Sequence, residues 1–333
     1  MTRGRGLLAA PLLALALSPA CDRAGQKSGT GGAPPPSAAA PASSAAEPVA
    51  APSAVAPAAG PFPDGGAEAD ARDGGGANAD AASDDGAAVT GCPREMARIN
   101  RFCVDKWEAH LVARAEDGTE TPHPHSERPV PGLVAKSEPD VFPQGYISRV
   151  EAAAACRAAD KRLCTLGEWQ RACRGKRGRL YPYGGSARAG ACNSGKKHLL
   201  TELFGPVAGN WKYDESFNSP ELLKTPGYLA KTGEYAACAS EDGVMDLVGN
   251  LHEWVSDVVD QALVDRMEAE PVERRTQPWR EGNGVFASGF FSTTREHGPG
   301  CTFLTIAHEP RYHDYSIGFR CCRLAAPTAG APH

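Results

Sequence analysis

Regular alternation of apolar and polar positions is scarce along this chain, and the clearest local signals are two helix starts. Ser148-Arg-Val-Glu151 is a capping box, in which the serine side chain and the glutamate three residues on satisfy each other's exposed backbone N–H groups. It predicts a helix running through Ala152 to Ala159, with small residues and Cys156 on its packed side, ending before Lys161-Arg162. Thr165-Leu-Gly-Glu168 is a second box. It opens a helix carrying Trp169, Ala172 and Cys173, which Gly175 closes in the position glycine favours after a helix C-terminus. Strand-like runs are short, at 102–104, 285–291 and 317–321. With 37 Gly and 28 Pro elsewhere, the pattern predicts a loop-rich domain. Such a domain depends on disulfides, bound ions and buried tryptophans (Trp107, Trp169, Trp211, Trp254, Trp279) more than on long regular elements.

Composition divides the 333 residues sharply. From 22 to 90 the chain is almost entirely Ala, Pro, Gly, Ser and Asp, with Phe62 its only aromatic residue, so it cannot bury enough apolar surface to offset chain entropy. This stretch is expected to be a disordered tether, leaving 91–325 to fold and 326–333 as a disordered tail. The net charge of -5 sits mainly in the tether, whose acids outnumber Arg23, Lys27 and Arg72. The folded part is nearly neutral, and a nucleic-acid partner is excluded for want of a basic footprint. At the N-terminus, Met-Thr-Arg-Gly-Arg precedes an apolar run at 7–17 and then Ser18-Pro-Ala-Cys21. This is the pattern of an export signal over 1–21, with an apolar run too short to span a bilayer. Cys21 after Ala20 resembles a bacterial lipobox, which implies lipidation at Cys21, a membrane anchor, and placement on the periplasmic face of a membrane or at the cell surface. Ser18 stands where a lipobox has leucine, so an ordinary signal peptide cut near Ala20 is the alternative.

The ten cysteines after Cys21 all lie in the part expected to fold. An even number in an exported chain implies a disulfide framework, and without CxxC spacing zinc is not expected.

Five segments in order resemble the formylglycine-generating enzyme family, also called the sulfatase-modifying factor family. They are Phe102-Cys-Val-Asp-Lys-Trp-Glu108; 148–156 leading into Lys161-Arg-Leu-Cys-Thr-Leu-Gly-Glu-Trp-Gln-Arg-Ala-Cys-Arg-Gly175; Tyr181-Pro-Tyr-Gly-Gly185 followed by Cys192-Asn193; Gly243-Val-Met-Asp-Leu-Val-Gly-Asn-Leu-His-Glu-Trp254; and Ile317-Gly-Phe-Arg-Cys-Cys-Arg323. The resemblance implies a C-type-lectin-like α+β fold stapled by disulfides. It also implies the pairs Cys156 with Cys321 and Cys173 with Cys301, beside which Cys164 is expected to join Cys322, Cys192 to join Cys238, and Cys92 to join Cys103. The family's catalyst is a pair of copper-binding cysteines a few residues after a Gly-Gly-Ser segment. Here the corresponding stretch, 287–297, contains no cysteine, and serine or threonine cannot replace the soft thiolate that copper(I) requires. Copper chemistry, and with it formylglycine generation, is therefore not expected.

Two metal readings remain. Side-chain oxygens of Asp246 and Glu253 with carbonyls of Gly249 and Leu251 form a hard oxygen set suited to calcium. The resemblance implies a calcium site at the same four positions, and a second at Asn193. The alternatives are a turn residue capping a helix around Trp254 for Asp246, and a buried acid paired with an arginine for Glu253. Glu296-His297, His308-Glu309 and His313-Asp314 supply the histidine and carboxylate types of a non-haem iron site, or loop residues bonded among themselves and to nearby arginines. The expected function is a non-catalytic module binding a protein or glycan. A divergent iron oxidoreductase using His297, His308, Glu309 and His313 is the alternative, and a sulfatase activator the least expected.

Overall fold

The computed structural model describes residues 91–269, 277–293 and 298–326. The signal segment, Cys21, the tether, His297 and the tail beyond Ala326 lie outside them. In chain order the regular elements are β1 (Met96–Ile99), β2 (Phe102–Asp105), β3 (Ala109–Arg114), β4 (Glu120–Pro122), β5 (Val134–Ser137), α1 (Arg149–Ala158), β6 (Arg162–Leu163) and α2 (Leu166–Arg174). There follow α3 (Leu199–Phe204), α4 (Glu221–Lys224), β7 (His252–Val258), α5 (Gln261–Ala269), β8 (Gly284–Ala287), β9 (Leu304–Thr305), β10 (Ile317–Phe319) and β11 (Cys321–Leu324).

Both capping boxes close as their sequences require. Ser148 Oγ accepts from the Glu151 N–H, while the Glu151 carboxylate accepts from the Ser148 N–H at 2.8 Å. Thr165 and Glu168 repeat the arrangement at the start of α2, and Gly175 follows that helix at φ 62°. Along α2 the buried positions are Leu166, Trp169, Ala172 and Cys173, a stripe at helical spacing that faces the larger apolar cluster of the domain.

The strands form three small sheets, ordered β1-β2-β11-β6, β10-β7-β8-β9 and β4-β3-β5. Among the described strands only β10 and β7 pair in parallel, and the other pairs are antiparallel. The architecture is α+β and loop-rich, as expected, but two strand boundaries differ from the sequence reading. The apolar run at 285–291 stops pairing at Ala287, because Ser288 takes φ 68° and turns the chain out of the sheet. The run at 317–321 is broken at Arg320, and its two halves join different sheets. The tryptophans differ too. Trp169 and Trp254 are fully buried, whereas Trp107, Trp211 and Trp279 are only half-buried.

Five disulfides join Cys92 to Cys103, Cys156 to Cys321, Cys164 to Cys322, Cys173 to Cys301 and Cys192 to Cys238. These are the pairs expected from the sequence. Cys321 and Cys322 are neighbours on β11, and successive residues of a strand face opposite sides. Cys321 therefore reaches α1 and the cluster holding Ala152, Trp254 and Phe319, while Cys322 reaches Cys164 in the cluster that packs around Trp169. One strand is thus bolted to both halves of the core. Such bridges are consistent with an exported protein. Among the described residues no helix is long and apolar enough to cross a membrane.

Candidate functional site

The centre of the domain is polar. β7 carries Glu253 with no exposed surface, between Trp169 of α2 and Arg320 at the break between β10 and β11. Trp169 Nε1 donates to Glu253 Oε2 at 2.8 Å. Arg320 Nε donates to the same oxygen at 2.6 Å, and its Nη2 donates to Oε1 at 2.6 Å. The guanidinium spends its other hydrogens on backbone carbonyls, Nη1 on Asp105 at 3.0 Å and Lys106 at 3.3 Å, and Nη2 on Met245 at 2.9 Å. An arginine has five N–H donors, and here every one is placed. Burial works against the charge of Arg320, but Glu253, with Glu108 and Asp246 behind it, holds its pKa above the ordinary arginine value.

Glu108 is the second buried acid. Its Oε1 accepts from the Leu251 N–H at 3.1 Å and its Oε2 from Asn250 Nδ2 at 2.5 Å. Burial raises its pKa well above the carboxylate range, and the neighbouring charges of Asp246 and Glu253 push the same way. Asn250 adopts φ 57° and satisfies its whole amide, Oδ1 accepting from Asn193 Nδ2 at 2.8 Å and the Ala230 N–H at 2.9 Å, and Nδ2 also donating to the Ala230 carbonyl. Gly249 precedes it at φ 81°, where a Cβ would run into the carbonyl oxygen of Asn193, so the two segments meet only because position 249 is glycine. A second ion pair, Lys161 with Asp105 at 2.7 Å, adjoins that of Arg320 and Glu253 through the Asp105 carbonyl that Arg320 bonds.

Asp246 is 4% exposed in a left-handed turn at φ 60°, and its Oδ2 accepts from the Gly233 N–H at 2.7 Å. Burial raises its pKa to about 6 against the opposing pull of that N–H and of Arg320. It caps no helix around Trp254, because Trp254 lies on β7. Glu253 is the arginine-paired acid of the alternative reading. Its charge is balanced by Arg320 and its oxygens accept three donors, so the set Asp246, Gly249, Leu251 and Glu253 does not fit calcium as arranged. Among the described residues no three His, Cys, Asp or Glu side chains come together as a metal centre.

The stretch after β8 uses its hydroxyls locally. Ser292 Oγ donates to the Lys197 carbonyl at 2.7 Å, and Thr293 Oγ1 accepts from the Phe290 N–H at 2.7 Å. His252 Nδ1 donates to the carbonyl of Ser288 at 2.7 Å, and its ring packs among Phe286, Phe290 and Phe303.

The sulfatase-modifying factor enzyme 1-like domain matches residues 74–325. The chain belongs to the sulfatase-modifying factor family. Among solved structures, CarF is similar at 15% identity over 67% of this chain and 86% of its own, with a TM-score of 0.36. The P3c variant of the major tropism determinant is similar at 14% identity over 70% of this chain, with a TM-score of 0.36, and the chain spans about half of that protein (53%). No curated protein matches.

Within the sulfatase-modifying factor domain of this chain, all ten cysteines of the folded part are engaged in disulfides. The described histidines are distributed rather than gathered. His308 stacks on Tyr312 at 3.8 Å and on Phe286, with Glu309 exposed beside it. His313 Nδ1 bonds Asn218 Oδ1 at 2.7 Å, and burial, with Arg128 nearby, lowers its pKa to about 4. Asp314 is buried and accepts from Tyr312 and Ser316. His297 lies outside the described residues.

Sequence reasoning passed over Glu108, Asn250 and Lys196 as site residues, and placed Arg320 only in a loop network. The signal was present for Arg320, a charged residue inside the otherwise apolar run Ile317-Gly-Phe-Arg-Cys-Cys322, where a lone charge implies a buried partner. Glu108 follows Asp105 and Lys106 between β2 and β3 and carries no such mark.

Proposed function

We propose that this chain is an exported, lipid-anchored, non-catalytic member of the sulfatase-modifying factor family, serving as a binding or scaffold module held off a membrane by its tether. What carries the reading is the fate of the cysteines. Each one in the folded part is in a disulfide, and the segment where the family keeps its copper-binding pair offers serine, threonine and phenylalanine. Oxidation of a substrate cysteine by the family's route needs a thiolate to hold copper(I), and hydroxyls bonded to backbone atoms cannot supply it. The partner fits the class of a protein or glycan surface.

The test is direct. Purified domain is incubated with copper, oxygen, a reductant and a cysteine-containing sulfatase peptide, and the peptide is examined by mass spectrometry. The expected result is an unchanged peptide mass, with no free thiol in the folded domain by titration. Appearance of the formylglycine aldehyde would overturn the proposal.

A further inference from the structure

The resemblance to the family implies that Asn193 ligates a second calcium ion, yet the surroundings of Asn193 do not suit one. Its amide presents a donor, not an acceptor, to the carbonyl of Tyr228, Nδ2 to O at 2.9 Å. Two residues on, Gly195 turns the chain at φ 73°, and the next N–H, that of Lys196, bonds the Phe291 carbonyl at 2.9 Å, which fixes where the lysine side chain begins. Its Nζ donates to the Gly227 carbonyl at 2.6 Å and to the Tyr228 carbonyl at 2.7 Å. The Tyr235 ring lies 6.0 Å from the same ammonium. Asn193 Oδ1, on the other side of the amide, is buried with no hydrogen-bond partner.

We propose that the Lys196 ammonium is the resident cation of this site and does the work an ion would do, pinning the segment at 227–230 onto the turn at 193–196. Two backbone carbonyls direct their negative ends at one point. A calcium ion there would require six to eight oxygens with carboxylates among them. Among the described residues no carboxylate bonds Lys196, and the exposed Glu234 acts on it only through its charge. An ammonium needs only a few acceptors at hydrogen-bond distance, which is what is present. Burial lowers the Lys196 pKa, as expected for a charge drawn into a carbonyl-lined niche, while Glu234 supports the charged form. A resident positive charge also repels a divalent ion from the same position. The assembly continues inward without a break, since Asn193 Nδ2 bonds Asn250, and Asn250 bonds Glu108. This inference is independent of whether the domain is catalytic.

The experiment uses the disulfide-bonded domain with Lys196→Met and Lys196→Arg, followed by thermal unfolding in EGTA and in 5 mM calcium chloride, and by hydrogen exchange of the segment at 227–230. Lys196→Met is expected to lower the melting temperature by about 3 to 6 °C and to speed exchange in that segment. Lys196→Arg, which keeps a cation, should lose less than half as much, and neither variant should respond to calcium. Either of two results overturns the assignment. One is a Lys196→Met protein with wild-type melting temperature and exchange. The other is a calcium-dependent rise in the wild type that disappears in Asn193→Ala, since that would place a metal ion where the ammonium is assigned.

Discussion

Arg320 offers the sharpest test of what holds this domain together. The guanidinium is 1% exposed and its partner Glu253 wholly buried, so solvent cannot replace either. Replacing Arg320 with methionine keeps much of the side-chain volume but removes five hydrogen bonds, two to Glu253 and three to the carbonyls of Asp105, Lys106 and Met245. It also leaves Glu253 beside Glu108 and Asp246 with no buried cation to balance them. Removing one partner of a buried ion pair costs about 3 to 5 kcal/mol. For a domain of this size that corresponds to a fall in melting temperature of about 6 to 20 °C. Glu253→Gln should cost less, about 2 to 3 kcal/mol, because an amide still accepts from Trp169 and relieves the crowding of negative charge. In the double variant the stranded charge of Glu253 is absent, so the two losses should fall short of additivity by more than 1 kcal/mol. Calorimetry or circular dichroism on the disulfide-intact domain measures all three. If Arg320→Met stays within about 1 kcal/mol of wild type, or if the losses simply add, the pair is not the keystone its geometry implies.

Other outcomes follow from the same structure. Asp246 has its folded pKa raised to about 6, so its contribution to stability is full below its unfolded value near 3.8 and is lost as pH rises through 6. Chemical denaturation of wild type and Asp246→Asn should therefore diverge between pH 4 and pH 7, with the variant the less pH-sensitive, and parallel curves would refute it. Removing the Cys156–Cys321 bridge by paired alanine substitution should cost about 3 to 5 kcal/mol in the chain-entropy account, read by urea unfolding, because it closes a loop of sequence separation 165. Cys21→Ala should move the protein from the membrane to the soluble fraction, and a variant that stays with the membrane refutes the anchor.

How much of this was legible in the sequence depended on how local the determining interaction is. Ser148 with Glu151, and Thr165 with Glu168, decide their helices within four residues, and both helices stand where expected. The strands were less legible because a single residue ends each apolar run, Ser288 by its left-handed conformation and Arg320 by turning inward to Glu253. Asp246 and Glu253 carry the right oxygens at a plausible spacing for calcium, but their charge balance is set by Arg320, 67 residues beyond Glu253. Lys196 was invisible for the same reason. Its partners are backbone carbonyls at 227 and 228, and a carbonyl leaves no mark on a sequence. Ten cysteines alone allow hundreds of connectivities, and the pairings became legible only once the resemblance supplied Cys156 with Cys321 and Cys173 with Cys301, beside which the other three were expected.

The adjacent cysteines of β11 have a consequence for how the protein is made. Cys156, Cys164 and Cys173 emerge long before their respective partners Cys321, Cys322 and Cys301, at separations of 165, 158 and 128 residues. During that interval the three early thiols have only each other and Cys92, Cys103, Cys192 and Cys238 to react with in the folding domain. When β11 finally arrives it presents two neighbouring thiols to two different partners, and swapping them would pull α1 to the wrong side of the strand. Maturation of this domain is therefore expected to depend on thiol–disulfide exchange through mixed intermediates and on an isomerase, not on oxidising power alone. In a host stripped of disulfide isomerase but left with its oxidase, the domain should accumulate as fully oxidised, protease-sensitive isomers.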